Sequence, residues 1–554
     1  MIGVIAEPAE HDVVREFFEL FKTPWEFYRE GGKYDVLLHA GDCNVDAAAR
    51  LVVVYAARKT KLEEELGISE CAVRNSPCFL TYEEDLIPIY GESITFGTGK
   101  NGLLADQYTR EDAAYLQETN GRMQSRVGYD LFREVRSLLT VGQPAVNASM
   151  PALELHIAFL RDLILRAGIS LTEIPPVPDG YRFIVCLSHD VDHPSIRQHK
   201  WDHTVLGFLY RATVGSMIRV LRGQMGARDL LSNWLAVLKL PLVHVGLASD
   251  FWREFGQRYV ELEGGRPSTF FVIPFKGRPG KKGKVQASSF RASRYRARDI
   301  ADVLRELQLK GCEIGVHGID AWIDSERGRE EFQEIQNLTE DSEIGVRMHW
   351  LYYEQESPMQ LEHAGASYDS TVGYNETVGY RAGTTQAYKP LGAERLIELP
   401  MHAMDTALFY PRHLALSKAK AKELLDQMAA NTARFGGVLT INWHDRSVAP
   451  ERLWVECYRD LLADLEKHGA WFGTARQVVT WFRKRRSVTF DGGDLRSAMD
   501  FGFFVTNQPE RVPGLLVRTH PSGASKLAGQ GKPESYSDRK LGNFADSKVL
   551  RGAN

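Results

Sequence analysis

Six cysteines in 554 residues, at Cys43, Cys71, Cys78, Cys186, Cys312 and Cys457, form no CxxC pair and no regular disulfide framework. Such scattered thiols suit burial in a reducing compartment. Excess positive charge is missing too. Lys plus Arg total 68 against 72 for Asp plus Glu, a net charge of −4 that argues against a dedicated nucleic-acid binder. No stretch approaches the roughly 18 to 20 uninterrupted apolar residues of a spanning helix. The segment Met1 to Glu7 has no basic region followed by a long apolar one, so no secretory signal is expected and a cytoplasmic location is.

At this length the chain exceeds one compact core, so several units are expected. Residues 1–125 read as an N-terminal α/β domain. Strand-like runs stand at 34–40 and 51–57, the second equally readable as a helix end, and no catalytic residue types concentrate there. A helical connector follows at 126–180, with Leu153, Ile157, Leu160, Leu163 and Ile164 at helical spacing, and is ended by the Pro175-Pro176-Val177-Pro178 stretch. Residues 181–486 alternate strand-like and helical patterns, the signature of a parallel sheet or (β/α) barrel. Residues 487–525 suggest a small accessory β region. Residues 526–554, nearly free of aromatics, suggest a disordered tail.

Inside the third unit, about 75 residues separate Asp192 from the strand at Thr269. Two predicted helices, 204–223 and 229–245, fill the gap with Leu, Val and Trp, and Arg211, Arg219, Arg222 and Arg228 stand in or near them. The insertion, about 200–255, reads as packed helices or as a basic, apolar lid that touches lipid or a lipid-linked substrate.

Chemistry collects where strands end. Phe183 to Leu187 runs straight into Ser188-His189-Asp190-Val191-Asp192-His193, an apolar strand closing in two carboxylates and flanking imidazoles. Close carboxylates are costly without a neutralising cation or proton, so the pair suggests a metal. Glu313 to Gly318 delivers His317 at a second strand end, with Asp320 and Asp324 just beyond. Gly345 to Trp350 pairs Arg347 with His349. Val438 to Asp445 ends in His444, placed as a general acid or base.

In this order the elements resemble the polysaccharide deacetylase, or NodB-homology, family of carbohydrate esterases. Ser188-His189-Asp190-Val191-Asp192 is similar to its Thr-Phe-Asp-Asp-Gly motif and Ser268-Thr269-Phe270-Phe271-Val272 to its Ala-Thr-Phe-Phe-Val strand. His317 matches the first histidine of His-Ser/Thr-x-x-His, and Arg347-Met348-His349-Trp350 stands where Arg-x-Pro-Tyr is expected. Tyr368-Asp369-Ser370-Thr371 resembles Tyr-Asp-Ser-Ser, and Trp443-His444 the Leu-x-Leu-His motif. The resemblance covers about residues 181 to 485.

The resemblance implies a distorted (β/α) barrel that holds a divalent metal, zinc by preference with cobalt or nickel as alternatives, on one Asp and two His. It implies removal of an N-acetyl, sometimes O-acetyl, group from a sugar or glycoconjugate, in cell-surface polysaccharide or glycoconjugate biosynthesis. By position, Asp190 would be the base, His444 the acid, Arg347 the residue orienting the base, and the Trp350 N–H part of an oxyanion hole. Asp192 and His317 would bind metal, with Asp190 as the carboxylate ligand instead if the backbone bulges. The second histidine of the metal motif falls at Ala321. The third ligand is then Asp320, less readily Asp324, or His349 from the next strand. If the metal is lost, the chain is a metal-independent amide hydrolase or an inactive carbohydrate-binding relative.

Overall fold

The computed structural model describes residues 1–41, 49–61, 63, 72–74, 76–97, 102–119, 121–223, 225–449, 451–452, 454–491, 494–497, 512–522 and 537–541. Four cysteines, Cys78, Cys186, Cys312 and Cys457, are buried free thiols; Cys43 and Cys71 lie outside the described residues.

The site-bearing unit is built on parallel strands, labelled β1 (Phe183–Val191), β2 (Ser268–Val272), β3 (Glu313–Gly318), β4 (Val346–Met348), β5 (Ala403–Met404), β6 (Val438–Asn442) and β7 (Ala470–Phe472). Their order is β4-β3-β2-β1-β6-β5, and β7 pairs the opening residues of β1. Every residue of β1, β2, β3 and β6 is buried, as expected of strands covered by helices on the outer face and by the barrel interior on the inner one. That burial explains the unbroken apolar runs in the sequence.

Hydrogen bonds carry this ring round to closure through two segments too irregular to form long strands. Ser370 N–H donates to Val346 O at 2.8 Å, so residues 368–372 lie beside β4. Asp369 N–H donates to Ile397 O at 2.9 Å and Met401 N–H to Val372 O at 2.9 Å, which brings 397–404 alongside. His402 N–H then donates to Thr440 O at 3.0 Å and β5 pairs β6 in parallel. The result is a distorted (β/α) barrel, whose irregular staves include Pro400, a residue that cannot donate to a ladder.

Between β1 and β2 stands the insertion. Its helices are α1 (His203–Tyr210), α2 (Ser216–Leu221) and α3 (Ala227–His244), with a π turn at Arg211–Gly215 joining the first two. A further helix, α4 (Phe255–Glu263), returns the chain to the barrel.

The N-terminal unit is a nine-stranded mixed sheet. Trp25–Phe27, Ile2–Ile5, Val36–Ala40, Leu51–Tyr55 and Arg122–Val127 run parallel in that spatial order. Leu51–Tyr55, readable from sequence as a helix end, is thus a strand. The helices Leu131–Thr140 and Ala152–Arg166 bury Leu131, Phe132, Leu153 and Phe159 in the same core as these strands. The segment expected as a connector is therefore packed into the N-terminal unit. It also grips the barrel: Glu154 Oε1 accepts from Thr384 Oγ1 at 2.7 Å and from Thr385 N–H at 3.0 Å.

Beyond the barrel, Val488–Asp491 pairs Asp494–Ser497, and Leu515–His520 pairs both Leu171–Glu173 and Ser537–Leu541. The last strand, at the edge of Leu515–His520, falls within the stretch 526–554 that the sequence suggests is disordered. The rest of that tail lies outside the described residues.

Candidate metal and acid–base site

The carboxyl ends of β1, β3, β4 and β6 meet at one point. Asp190 ends deep in β1, where Oδ1 accepts from Arg347 Nη1 at 3.0 Å and Oδ2 from Asn442 Nδ2 at 2.8 Å. Burial alone would raise its pKa, but the Arg347 guanidinium, with help from His317 and His444, holds it below the usual carboxylate value. Arg347 is fully buried and spends its other donors on Ser188 Oγ (2.8 Å), Ser370 O (3.0 Å) and Ser370 Oγ (2.9 Å). A guanidinium so fixed orients the carboxylate beside it.

Asp192, two residues on, faces a different set of groups. Its Oδ1 is buried and takes no hydrogen bond, yet lies 3.4 Å from His317 Nε2 and 3.5 Å from His349 Nε2. The three ligand atoms all stand within 4.8 Å of one another. A tetrahedral ion with bonds of about 2.0 to 2.1 Å sets its donors about 3.3 to 3.4 Å apart. The orphaned oxygen and the two imidazoles therefore fit a divalent cation.

Protonation agrees with that fit. His317 Nδ1 donates to Arg347 O at 2.9 Å, which leaves the Nε2 lone pair facing Asp192. Burial, only partly offset by Asp192, pulls His349 down to about 3, so its imidazole is neutral, the ligating form. Burial works against the Asp192 charge, but the charged His444 helps to hold its pKa well below the ordinary value.

His444 approaches from β6, its Nε2 3.9 Å from Asp192 Oδ2. Its Nδ1 donates to Asp405 Oδ1 at 2.6 Å, and Asp405 Oδ2 accepts from His444 N–H at 2.8 Å and from Ser447 Oγ. Burial disfavours the imidazolium, yet Asp405 outweighs it and the pKa rises to about 10. The ring is charged at neutral pH and holds a transferable Nε2 proton.

Other candidate positions have structural partners. Asp320 is not in the ligand cluster, because its oxygens accept from Lys281 N–H at 3.0 Å and Arg327 Nη1 at 3.1 Å. Asp324 caps the helix Ser325–Thr339 through Arg327 N–H. Ala321 is packed in the core, its Cβ close against Gly328. Trp350 is 40% exposed and left-handed at φ 66°, followed by Leu351 at φ 53°, a rare pair of non-glycine residues in that region. It follows His349 directly. His189, the imidazole beside Asp190, points away, with Nδ1 on Trp443 O at 2.9 Å and Nε2 on Glu263 at 2.8 Å. His193 sits behind the site against His199 at 3.2 Å.

No family model and no curated protein matches the chain. Among solved structures, one assigned as a polysaccharide deacetylase from Mycobacterium smegmatis is similar over 56% of this chain and 95% of its own, at 18% identity and a TM-score of 0.36. One described as a probable polysaccharide deacetylase from Pseudomonas aeruginosa PAO1 is similar over 58% and 98%, at 15% identity and a TM-score of 0.35. An allantoinase is similar over 55% and 92%, at 14% identity and a TM-score of 0.32. None of these likenesses carries a residue assignment.

Three positions that shape the site went unassigned by sequence reasoning. Asp405 follows a two-residue strand, too short to leave a pattern. Asn442 lay inside the β6 motif but, being neutral, drew no role. Arg291 is remote in sequence, yet fully buried over Tyr352 at 4.3 Å, and donates to Pro279 O (2.8 Å), Ile319 O (2.9 Å) and His349 O (3.0 Å). It ties the loop after His317 to the backbone of His349. Gly280 makes room for it, since a Cβ there would stand 2.6 Å from Arg291 Nη1. Arg291→Met is expected to weaken metal binding about 10 to 100-fold with the fold retained, as measured by chelator competition and circular dichroism.

Proposed function

We propose that this chain is a metal-dependent hydrolase that removes an N-acetyl group from a sugar in cell-surface polysaccharide or glycoconjugate biosynthesis, on the cytoplasmic side. The observation that carries the reading is the unpartnered Asp192 Oδ1 between His317 and His349, flanked by an ionised Asp190 and a charged His444.

Asp192, His317 and His349 would hold the cation. When bound, a divalent ion polarises an acyl oxygen and acidifies water, from about 15.7 toward about 7 in favourable zinc sites. Asp190, kept ionised and aimed by Arg347 and Asn442, takes the proton of the attacking water. Its lowered pKa makes it a modest base. His444, charged through Asp405, gives its Nε2 proton to the departing amine, and Asp405 keeps Nδ1 protonated throughout. The Trp350 N–H, at the left-handed turn after His349, is the candidate donor to the acyl oxygen. Acetate and a free amino sugar are the products.

Metal analysis of the purified full chain, with acetate release from a panel of acetamido sugars, tests this reading. About one equivalent of zinc, cobalt or nickel and chelator-sensitive acetate release are expected. Acetate release indifferent to chelation would replace it with a metal-independent amide hydrolase. No acetate from any sugar by the metal-loaded protein would sink it.

A further inference from the structure

The insertion places apolar surface where a soluble protein rarely keeps it. Fourteen of the 25 large apolar side chains exposed among the described residues lie between Trp201 and Leu247. They fall into helical stripes. Leu206, Tyr210, Val214, Met217 and Leu221 are exposed at intervals of four, four, three and four. Leu231, Trp234, Leu238, Leu242 and Val245 repeat the pattern along and just past α3, with Leu238 73% exposed.

α1 with the π turn after it, and α3, also have a buried apolar face. Val205, Phe208 and Ala212 pack with Ala236, Leu240 and Val243 against Phe251, Trp252 and Ala449. Exposed Tyr210 and Val214 stand two residues from buried Phe208 and Ala212, about 200° around a helix. Folding has therefore satisfied one side of α1 and of α3 and left an apolar side of each uncovered.

Charge says what covers it. Residues 197–247 hold seven Lys or Arg against two Asp, a net +5 in a chain of net −4. Arg222 and Arg228 flank the turn between α2 and α3, and Lys239 lies along α3. Basic residues beside exposed Leu, with Trp201, Tyr210 and Trp234 among them, make a surface suited to an anionic lipid headgroup layer. A second copy of the chain would set +5 against +5.

We propose that α1 to α3 dock in the plane of an anionic bilayer. The helix His203–Leu221 is 19 residues long with mean hydropathy 1.2, enough by length and composition to cross a membrane. In-plane docking fits better: its Val205–Phe208–Ala212 face is packed against α3, Phe251, Trp252 and Ala449, and Arg211 interrupts it midway. The insertion also adjoins the loop after His444, through Arg446 over the buried Trp252 at 4.7 Å. Docking does not depend on the deacetylase reading; with it, the substrate class narrows to an acetylated sugar carried on a lipid.

Co-sedimentation of the full chain with vesicles tests the proposal. Binding to phosphatidylcholine vesicles containing phosphatidylglycerol is expected, weaker on phosphatidylcholine alone and weakened by salt. A Leu206→Ser, Leu221→Ser, Leu238→Ser variant and an Arg222→Glu, Arg228→Glu variant should each lose at least about tenfold in partitioning. Both should keep the melting temperature and the acetate release from a soluble acetamido sugar. Absence of binding to either vesicle, or binding unchanged in both variants, would overturn it. So would a concentration-dependent dimer dissolved by the serine variant without vesicle binding, which points to a second copy. Resistance of cell-expressed protein to alkaline carbonate would replace docking with a spanning helix.

Discussion

Replacement of His317 by alanine is expected to lower metal affinity at least a hundredfold or so and kcat/KM about 10³-fold. The Nε2 of His317 is 3.4 Å from the unpartnered Asp192 oxygen, and among the described residues the cluster consists of Asp192, His317 and His349. Ala321, the other position its strand-end loop might have used, is a packed methyl. A second readout separates this from mere loss of fold. A ligand that binds only the native state at 1,000 times its dissociation constant stabilises by about 4 kcal/mol. Chelation should therefore lower the melting temperature of the parent protein and leave that of His317→Ala unmoved. Equal chelator effects on both would exclude His317 as a ligand.

Asp405→Asn is the second large effect, expected to cost about 10² to 10⁴-fold in kcat/KM, the usual worth of a positioned acid. In the parent protein His444 is raised to about 10 and Asp190 is lowered. The pH profile of kcat/KM should rise where Asp190 ionises, below the ordinary carboxylate value, and fall near about 10, where His444 loses its proton. A bound cation offsets the Asp192 share of that shift and leaves the share of Asp405, the larger one. Without Asp405 the alkaline limb should move down toward about 6.5. An unshifted alkaline limb in Asp405→Asn would refute the acid role of His444. Stability follows the same signs. The raised His444 contributes stability in full below about 6.5, lost as pH rises through about 10. The lowered Asp190 contributes above its ordinary value, lost as pH falls through its depressed one.

The barrel was legible in the sequence where strands are long and buried on both faces. Phe183 onward, Glu313 onward and Val438 onward read as apolar runs because helices outside and the barrel interior inside leave no polar face to alternate with. The staves at 368–372 and 397–404 were not, because scattered backbone bonds rather than a ladder define them, and a few bonds impose no period on side chains. The same contrast governs the site. Asp190, Asp192, His317, Arg347 and His444 end legible strands and meet. His349 stood among three candidates for the remaining ligand, and register decides between them: β3 and β4 pair His317 with Arg347, so the residue two beyond Arg347 overhangs the cluster. Asp320 turns instead to Arg327 and the Lys281 backbone. Asp405 and Arg291 act across long sequence gaps, and nothing local marks them.

Closure of the barrel through 397–404 divides the reaction centre by stiffness. The cluster of Asp192, His317 and His349 rides on β1, β3 and β4, each laddered to a neighbour, whereas Asp405 hangs from the two-residue β5. Few backbone bonds mean a lower free energy of local opening. The proton-donating end is thus held unevenly: His444 follows β6, laddered on both sides, while the carboxylate that holds its Nδ1 rests on two strand residues.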